Sequence, residues 1–482
     1  MLITLFPSLK NNRLIKAINW FFYSYYYVGL IALLTALCSI FSFEMYAFYT
    51  YVICGCIIPC LFCKDMTPLL APLSMAYSSV SLKANNSTEG ISLFGDRWYH
   101  LYIILGLIFT FVIIRLIFNL ITDKNKRHYK HYLLIGYLTF GVTLMTAGIN
   151  TPYYNYREFT FGLVEFLSLF GSYFLLMYLI DWKDMKKGYF AWLMMLYGLA
   201  ICIEVIVTEI IDHGTWIKLG WGIDNNVAGQ LCMCLATPIY LAFIKKPTPV
   251  FFVIESLILL CIGFTNSRNG VVMGLLLGIS LLIVFIIKST KWKRISAIIT
   301  VTLCIGTFLG FFFGFYNVSE LVFSKLLNTF DNKQSLLTLS GRIDIWKGGW
   351  QNFLSNRSFG TGWYQCPIKG KGPYFNYGFI PPRYHNTLFQ LLGALGTFGL
   401  VTYIYHRYQT IRMTFYKPSL EKTFIFISIL GLLLTSLFDC HLFNLGPGLN
   451  YCIALASIEG INIRDGVKIK ESKVHRFFKS LV

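Results

Sequence analysis

The stretch PPRYHNTLFQLLGALGTFGL (381–400) sets Arg383 and His385 immediately ahead of a nearly uncharged run that reaches Tyr405. Arg268 lies in TNSRNG, a short polar break between two apolar runs, and Arg342 in SGRIDIWKGGW, where an amphipathic pattern begins. A guanidinium presents a planar fork that binds phosphate oxygens two at a time, so arginines gathered at a lipid boundary suit a phosphate or diphosphate. An imidazole at a helix N-terminus is held neutral by the helix dipole and can take a proton from a hydroxyl. Other roles compete. Boundary arginines also anchor helices by snorkelling, and His385 could serve as an interfacial anchor, line a transport path or carry out proton transfer. Asn386 can cap the helix or orient the ring. Asp439, in TSLFDCHLFN, sits near the outer end of its apolar run and can orient either an arginine or the histidine.

The elements that must hold these residues are membrane helices. Of the 482 residues, 56% are apolar and 13% charged. Apolar runs of about 17–24 residues recur along the chain, each long enough to cross a hydrocarbon core of roughly 30 Å. The expected fold is all-α and polytopic, with about twelve to fourteen crossings, because a lipid-exposed backbone must satisfy its own hydrogen bonds. Predicted spans cover 20–43, 46–63, 66–82, 99–120, 131–149, 159–181, 189–211, 226–244, 250–265, 271–287, 295–316, 385–405, 424–442 and 444–460. A net charge of +19 would suggest nucleic acid in a soluble protein. Here the basic clusters KNNRLIK, DKNKRHYK, DWKDMKK, KSTKWKR and HRYQTIRMTFYK fall in alternate loops, which marks the cytoplasmic side and places both termini there. The opposite face receives Arg268, Arg342, Arg383, His385 and Asp439. The first run is read as a retained span, since no small-residue cleavage site precedes it. Four segments result: a helical bundle at 1–316, a large periplasmic loop with a short amphipathic helix at 317–384, further spans at 385–460 and a basic tail at 461–482. Ile343, Ile345, Trp346, Trp350 and Phe353 fit a helix lying on the membrane surface. The loop aromatics Trp216, Trp221, Trp363 and Tyr374 can stack on sugars or anchor at the interface.

Glu165, Glu204, Glu209 and Glu255, with Arg115, fall inside apolar runs, where charge is costly and often functional, although several lie near run ends where water reaches. Most of the thirteen cysteines also lie in such runs. CGCIIPCLFC (54–63) has no histidine or acid beside it and reads as packing rather than metal binding. Cys366 and Cys440 both face the oxidising side, which leaves a disulfide open. The polar loops contain no phosphate-cradling glycine loop, zinc-spaced set or metal-binding acidic pair, so neither nucleotide nor metal is expected.

Four segments together resemble the O-antigen ligase and polymerase superfamily. HNTLFQLLGALG supplies its His-Asn-x9-Gly signature at His385, Asn386 and Gly396. FTNSRNGVVMGLLLG is similar to its Ser-Arg break, SGRIDIWKGGWQNF to the Ser-Gly-Arg…Trp segment of its periplasmic loop, and GWGIDNNVAGQL to its loop-to-helix Asn-x-x-Gly/Ala. The order and spacing match over about 220–405, and Val272 replaces the leucine often found four residues after the first arginine. The resemblance implies a GT-C-like inner-membrane glycosyltransferase that needs no metal or cofactor. Its donor would be an undecaprenyl-diphosphate-linked glycan, and its acceptor lipid A–core or a growing glycan. It also implies that Arg268 and Arg342 hold the donor diphosphate and that His385 assists the acceptor hydroxyl; Arg383 is expected to join the diphosphate-binding arginines, with Asn386 and Asp439 in support. Polymerases of this family are described with Arg-x10-Gly in two loops. Here Gly278 comes one residue early after Arg268 and no glycine follows Arg342 at that offset, which favours a ligase over a repeat-unit polymerase. A lipid-linked oligosaccharide flippase is the rival class, but it would place its polar residues near the bilayer midplane.

Overall fold

A computed structural model describes residues 1, 11–41, 43–80, 98–123, 131–212, 224–265, 267–314, 342–367 and 381–469. Every regular element among them is helical, and the chain is an all-α polytopic membrane protein. By length and apolarity seven of the described helices can cross a membrane, or eight if the bent pair Arg13–Phe22 and Tyr25–Ile40 is one span. Twelve to fourteen crossings were expected. Beside these spans the described residues hold the shorter apolar helices Tyr46–Phe62, Leu134–Met145 and Thr248–Phe264, and an apolar run need not be one continuous helix. The run 20–43 bends by 62° where Ser24 caps a new helix through Tyr27 N. Those at 131–149 and 424–442 yield the shorter helices Leu134–Met145 and Leu420–Thr435, and that at 250–265 the helix Thr248–Phe264.

The chain divides into two compact units interleaved in sequence: Met1–Tyr129, Leu175–Lys325 and Phe424–Gly431 form one, and Lys130–Phe174, Leu326–Thr423 and Leu432–Val482 the other. In the first unit the span Asn225–Ile244 is almost wholly buried and is a core element, whereas Lys291–Gly310 is largely exposed. Cys56 and Cys60 pack with Met66, Val112 and Leu179, as expected of small apolar residues. Arg115, 2% exposed, donates to the carbonyls of Cys60 and Lys64. These carbonyls lie at and just beyond the end of the helix Ile58–Phe62, where a cation meets negative dipole charge. Glu204 accepts a 3.0 Å bond from Ser39. Arg268 opens the helix Arg268–Lys288, whose cap Ser267 accepts from Gly270 N and donates to Asn225 at 2.8 Å. A side chain on Gly270 would meet Ala228 at 2.4 Å, so this polar break is also a close helix crossing.

In the second unit the motif glycine has a clear steric reason. A wide turn, Leu391–Leu395, ends at Gly396, where φ is +69° and the helix Gly396–Phe415 begins. A β-carbon there would stand 2.5 Å from the backbone of Ser358 and Gly360, a conformation and a gap that only glycine tolerates without strain. The same crossing is tied by Thr397 N to Arg357 O at 2.7 Å and Gly362 N to Ala394 O at 3.1 Å.

Candidate active site

Asn386 starts the helix Thr387–Gln390 from an extended backbone, its Oδ1 accepting from Leu388 N at 2.8 Å and Phe389 N at 3.2 Å. Its Nδ2 donates to Leu437 O at 2.6 Å, while Thr387 N donates to Ser436 O at 3.1 Å. These bonds staple the turn after Leu420–Thr435 against the new helix, although the two lie some fifty residues apart in sequence. They bring Asp439 to His385, with Nδ1 at 3.4 Å from Oδ1.

The histidine is unusual in its backbone. Its φ is +50°, a left-handed conformation that costs a non-glycine residue of order 1 kcal/mol and persists only where neighbours impose it. Its side chain is 37% exposed, whereas that of Asp439 is 6% exposed. Burial alone would raise the Asp439 carboxyl. His385, His441 and the Cys440 N–H overcome that and hold it at about 2, so it is ionised. Its Oδ1 also accepts from Cys440 N at 2.8 Å, and Oδ2 has no hydrogen-bond partner. His441 is fully buried. Burial lowers its pKa, Asp439 opposes that, and Arg342 and His385 add to the lowering. Arg342, the first residue of the helix Arg342–Ser355, is thus close enough to act electrostatically on this cluster.

Arg383 is enclosed. Its Nη2 donates to Glu165 Oε1 at 3.0 Å and to Phe443 O at 2.7 Å, and its guanidinium lies over the rings of Phe161, Trp363 and Phe443 at 5.2–5.9 Å. Nε and Nη1 are buried without a hydrogen-bond partner, so two donors remain for an anion. Trp363 itself is fully buried, donating through Nε1 to Leu144 O at 3.0 Å. It supports Arg383 and is not a sugar platform. Trp216, Trp221 and Tyr374 lie outside the described residues.

The second unit therefore gathers Arg342, Arg383, His385, Asn386 and Asp439, and Arg268 belongs to the first. Sequence reasoning overlooked His441, whose only signal is its place two residues after Asp439, and it left Glu165 without its partner Arg383. The amphipathic helix is only partly a surface element: Trp346 turns inward and stacks on Phe389 at 5.5 Å, while Trp350 and Leu354 remain exposed. Cys366 and Cys440 are free, buried thiols.

No curated protein matches the chain. Residues 254–404 match the O-antigen ligase family model, a segment that contains Arg268, Arg342, Arg383, His385, Asn386 and Gly396. Through that segment, on an all-α polytopic fold, the chain is similar to the O-antigen ligase superfamily.

Proposed function

We propose that this protein is an inner-membrane glycosyltransferase that moves a glycan from undecaprenyl diphosphate to an acceptor hydroxyl on the periplasmic face, joining O-antigen to lipid A–core. One observation carries the reading: an accessible imidazole, held in a left-handed backbone, faces a buried ionised carboxylate. The carboxylate favours the tautomer with its proton on Nδ1, leaving Nε2 as the acceptor. As the acceptor oxygen bonds the anomeric carbon, its proton passes to Nε2. The anomeric carbon–oxygen bond to the diphosphate breaks, and the diphosphate leaves with the electron pair. Arg342 and the unpartnered donors of Arg383 offset the charge that develops on it. The orientation rests on the basic loops, with both termini cytoplasmic.

Lipopolysaccharide from a deletion strain tests the reading. Loss of all capped core is expected. Core bearing a single repeat would instead indicate repeat-unit polymerisation, and unchanged lipopolysaccharide would overturn both. Cysteine placed at Gly370 should label from outside the inner membrane; labelling only from the cytoplasm would reverse the topology.

A further inference from the structure

We infer that Tyr384 is a positioning residue, the wedge that sets His385 relative to the helix that carries Arg342. The inference rests on the function proposed above. Tyr384 is completely buried and bonded at three points to two different elements. Its carbonyl accepts from Trp346 Nε1 at 3.0 Å, and its hydroxyl accepts from Asn352 Nδ2 at 2.8 Å; both partners lie on the helix Arg342–Ser355. Its N–H donates to Gln390 Oε1 at 3.1 Å, on the helix that Asn386 caps. The ring fills a slot cut by two glycines. A β-carbon on Gly349 or on Gly393 would stand 2.8 Å from it, so one glycine on the helix Arg342–Ser355 and one on the turn Leu391–Leu395 make room for the same ring.

The next residue is His385 with φ +50°. A strained backbone keeps its shape only if both sides are fixed. Asn386 fixes the far side through its two cap bonds and its bond to Leu437 O, and Tyr384 fixes the near side. Arg342 opens one helix and His385 immediately precedes the cap of another, and Tyr384 is hydrogen-bonded to both helices. It touches no reacting atom in this account. Its part is to keep the base and the diphosphate-holding arginine in register.

The test uses the full-length protein in proteoliposomes with a polyprenyl-diphosphate-linked oligosaccharide as donor, with rates normalised to folded enzyme. Tyr384→Ala should lower kcat about 100-fold, the loss expected of an ångström-scale misplacement, with the donor KM within about twofold. Tyr384→Phe keeps the ring and both backbone bonds and should restore kcat to within about threefold. If Tyr384→Ala does not fold, Gly349→Ala and Gly393→Ala displace the ring without removing it and should show the same fall in kcat at constant KM. A Tyr384→Ala enzyme, or failing that both alanine-for-glycine enzymes, with wild-type kcat overturns the inference, as does a Phe variant as poor as the Ala variant. His385→Ala serves as the control. Wild-type transfer by it overturns the functional reading, and this inference with it. An inactive His385→Ala beside a wild-type kcat for Tyr384→Ala overturns this inference alone.

Discussion

Two histidines of the second unit show how little residue type alone decides. His385 stands between Tyr384 and the Asn386 cap in a left-handed backbone, its ring 37% exposed and its neighbour an ionised, buried Asp439. His406 lies inside the helix Gly396–Phe415 and is 1% exposed. Its Nε2 is 2.8 Å from Tyr451 Oη, the same oxygen that accepts from Arg407 Nη1 at 2.6 Å. Arg407 in turn lies over the rings of Tyr403 and Tyr451 at 4.4 and 4.7 Å. Nearby, Gln409 bonds Tyr405 and the Tyr132 carbonyl, while Glu459 accepts from Tyr132 N at 2.7 Å. That second network is polar, aromatic and buried. Access and backbone strain distinguish a histidine placed for chemistry from one that completes a core.

The sharpest way to break the contrast is His385→Ala, which should lower transfer about 10³-fold, the upper range of general-base catalysis, while leaving the melting temperature unchanged. Activity near wild type would reduce His385 to an anchor. Next comes Glu165→Gln. It leaves the Arg383 guanidinium enclosed without its counter-charge and should cost about 3 kcal/mol of stability, read from thermal unfolding in detergent. Asp439→Asn should keep the fold and reduce transfer about 100-fold, because the ring loses the carboxylate that fixes its tautomer. The smallest effect is expected from Tyr451→Phe. Removing the oxygen shared by His406 and Arg407 should cost about 2 kcal/mol, with transfer per folded molecule unchanged. A fall in that specific activity would join the two networks functionally and erase the distinction.

The pH dependence sharpens the comparison further. Asp439 is held below its ordinary value of 3.8, at about 2. A depressed carboxyl contributes stability that is fully present above its ordinary value and is lost as the pH falls through the folded one. The contribution is therefore flat from neutrality down to the carboxylate range. Transfer lost between about pH 7 and 5 must then track a group other than Asp439, which a pH–rate profile of Asp439→Asn beside the wild type can check.

Much of the candidate site was legible because it is local. His385, Asn386 and Gly396 lie within one short stretch of chain, and the cap, the wide turn and the left-handed glycine give that spacing its physical content. Arg268 and Arg342 could be picked out because each marks a polar-to-apolar border. Where a helix breaks was not legible for the opposite reason: hydropathy measures how apolar a run is, whereas Ser24 decides whether it continues as one helix. The acids showed the same limit. Glu165 was visible as an embedded carboxylate, but its partner Arg383 lies 218 residues away.

By itself, then, the sequence determined the helical membrane fold, the candidate arginines and histidine, and the family of 254–404, since period, composition and short-range spacing are all local properties. Only the tertiary structure decided that Asp439 meets His385, that His441 and Tyr384 are buried behind them, and that Arg383 is paired while His385 stays open. Those outcomes depend on which distant turns pack together, and desolvation, ionisation and access follow from that packing rather than from residue identity.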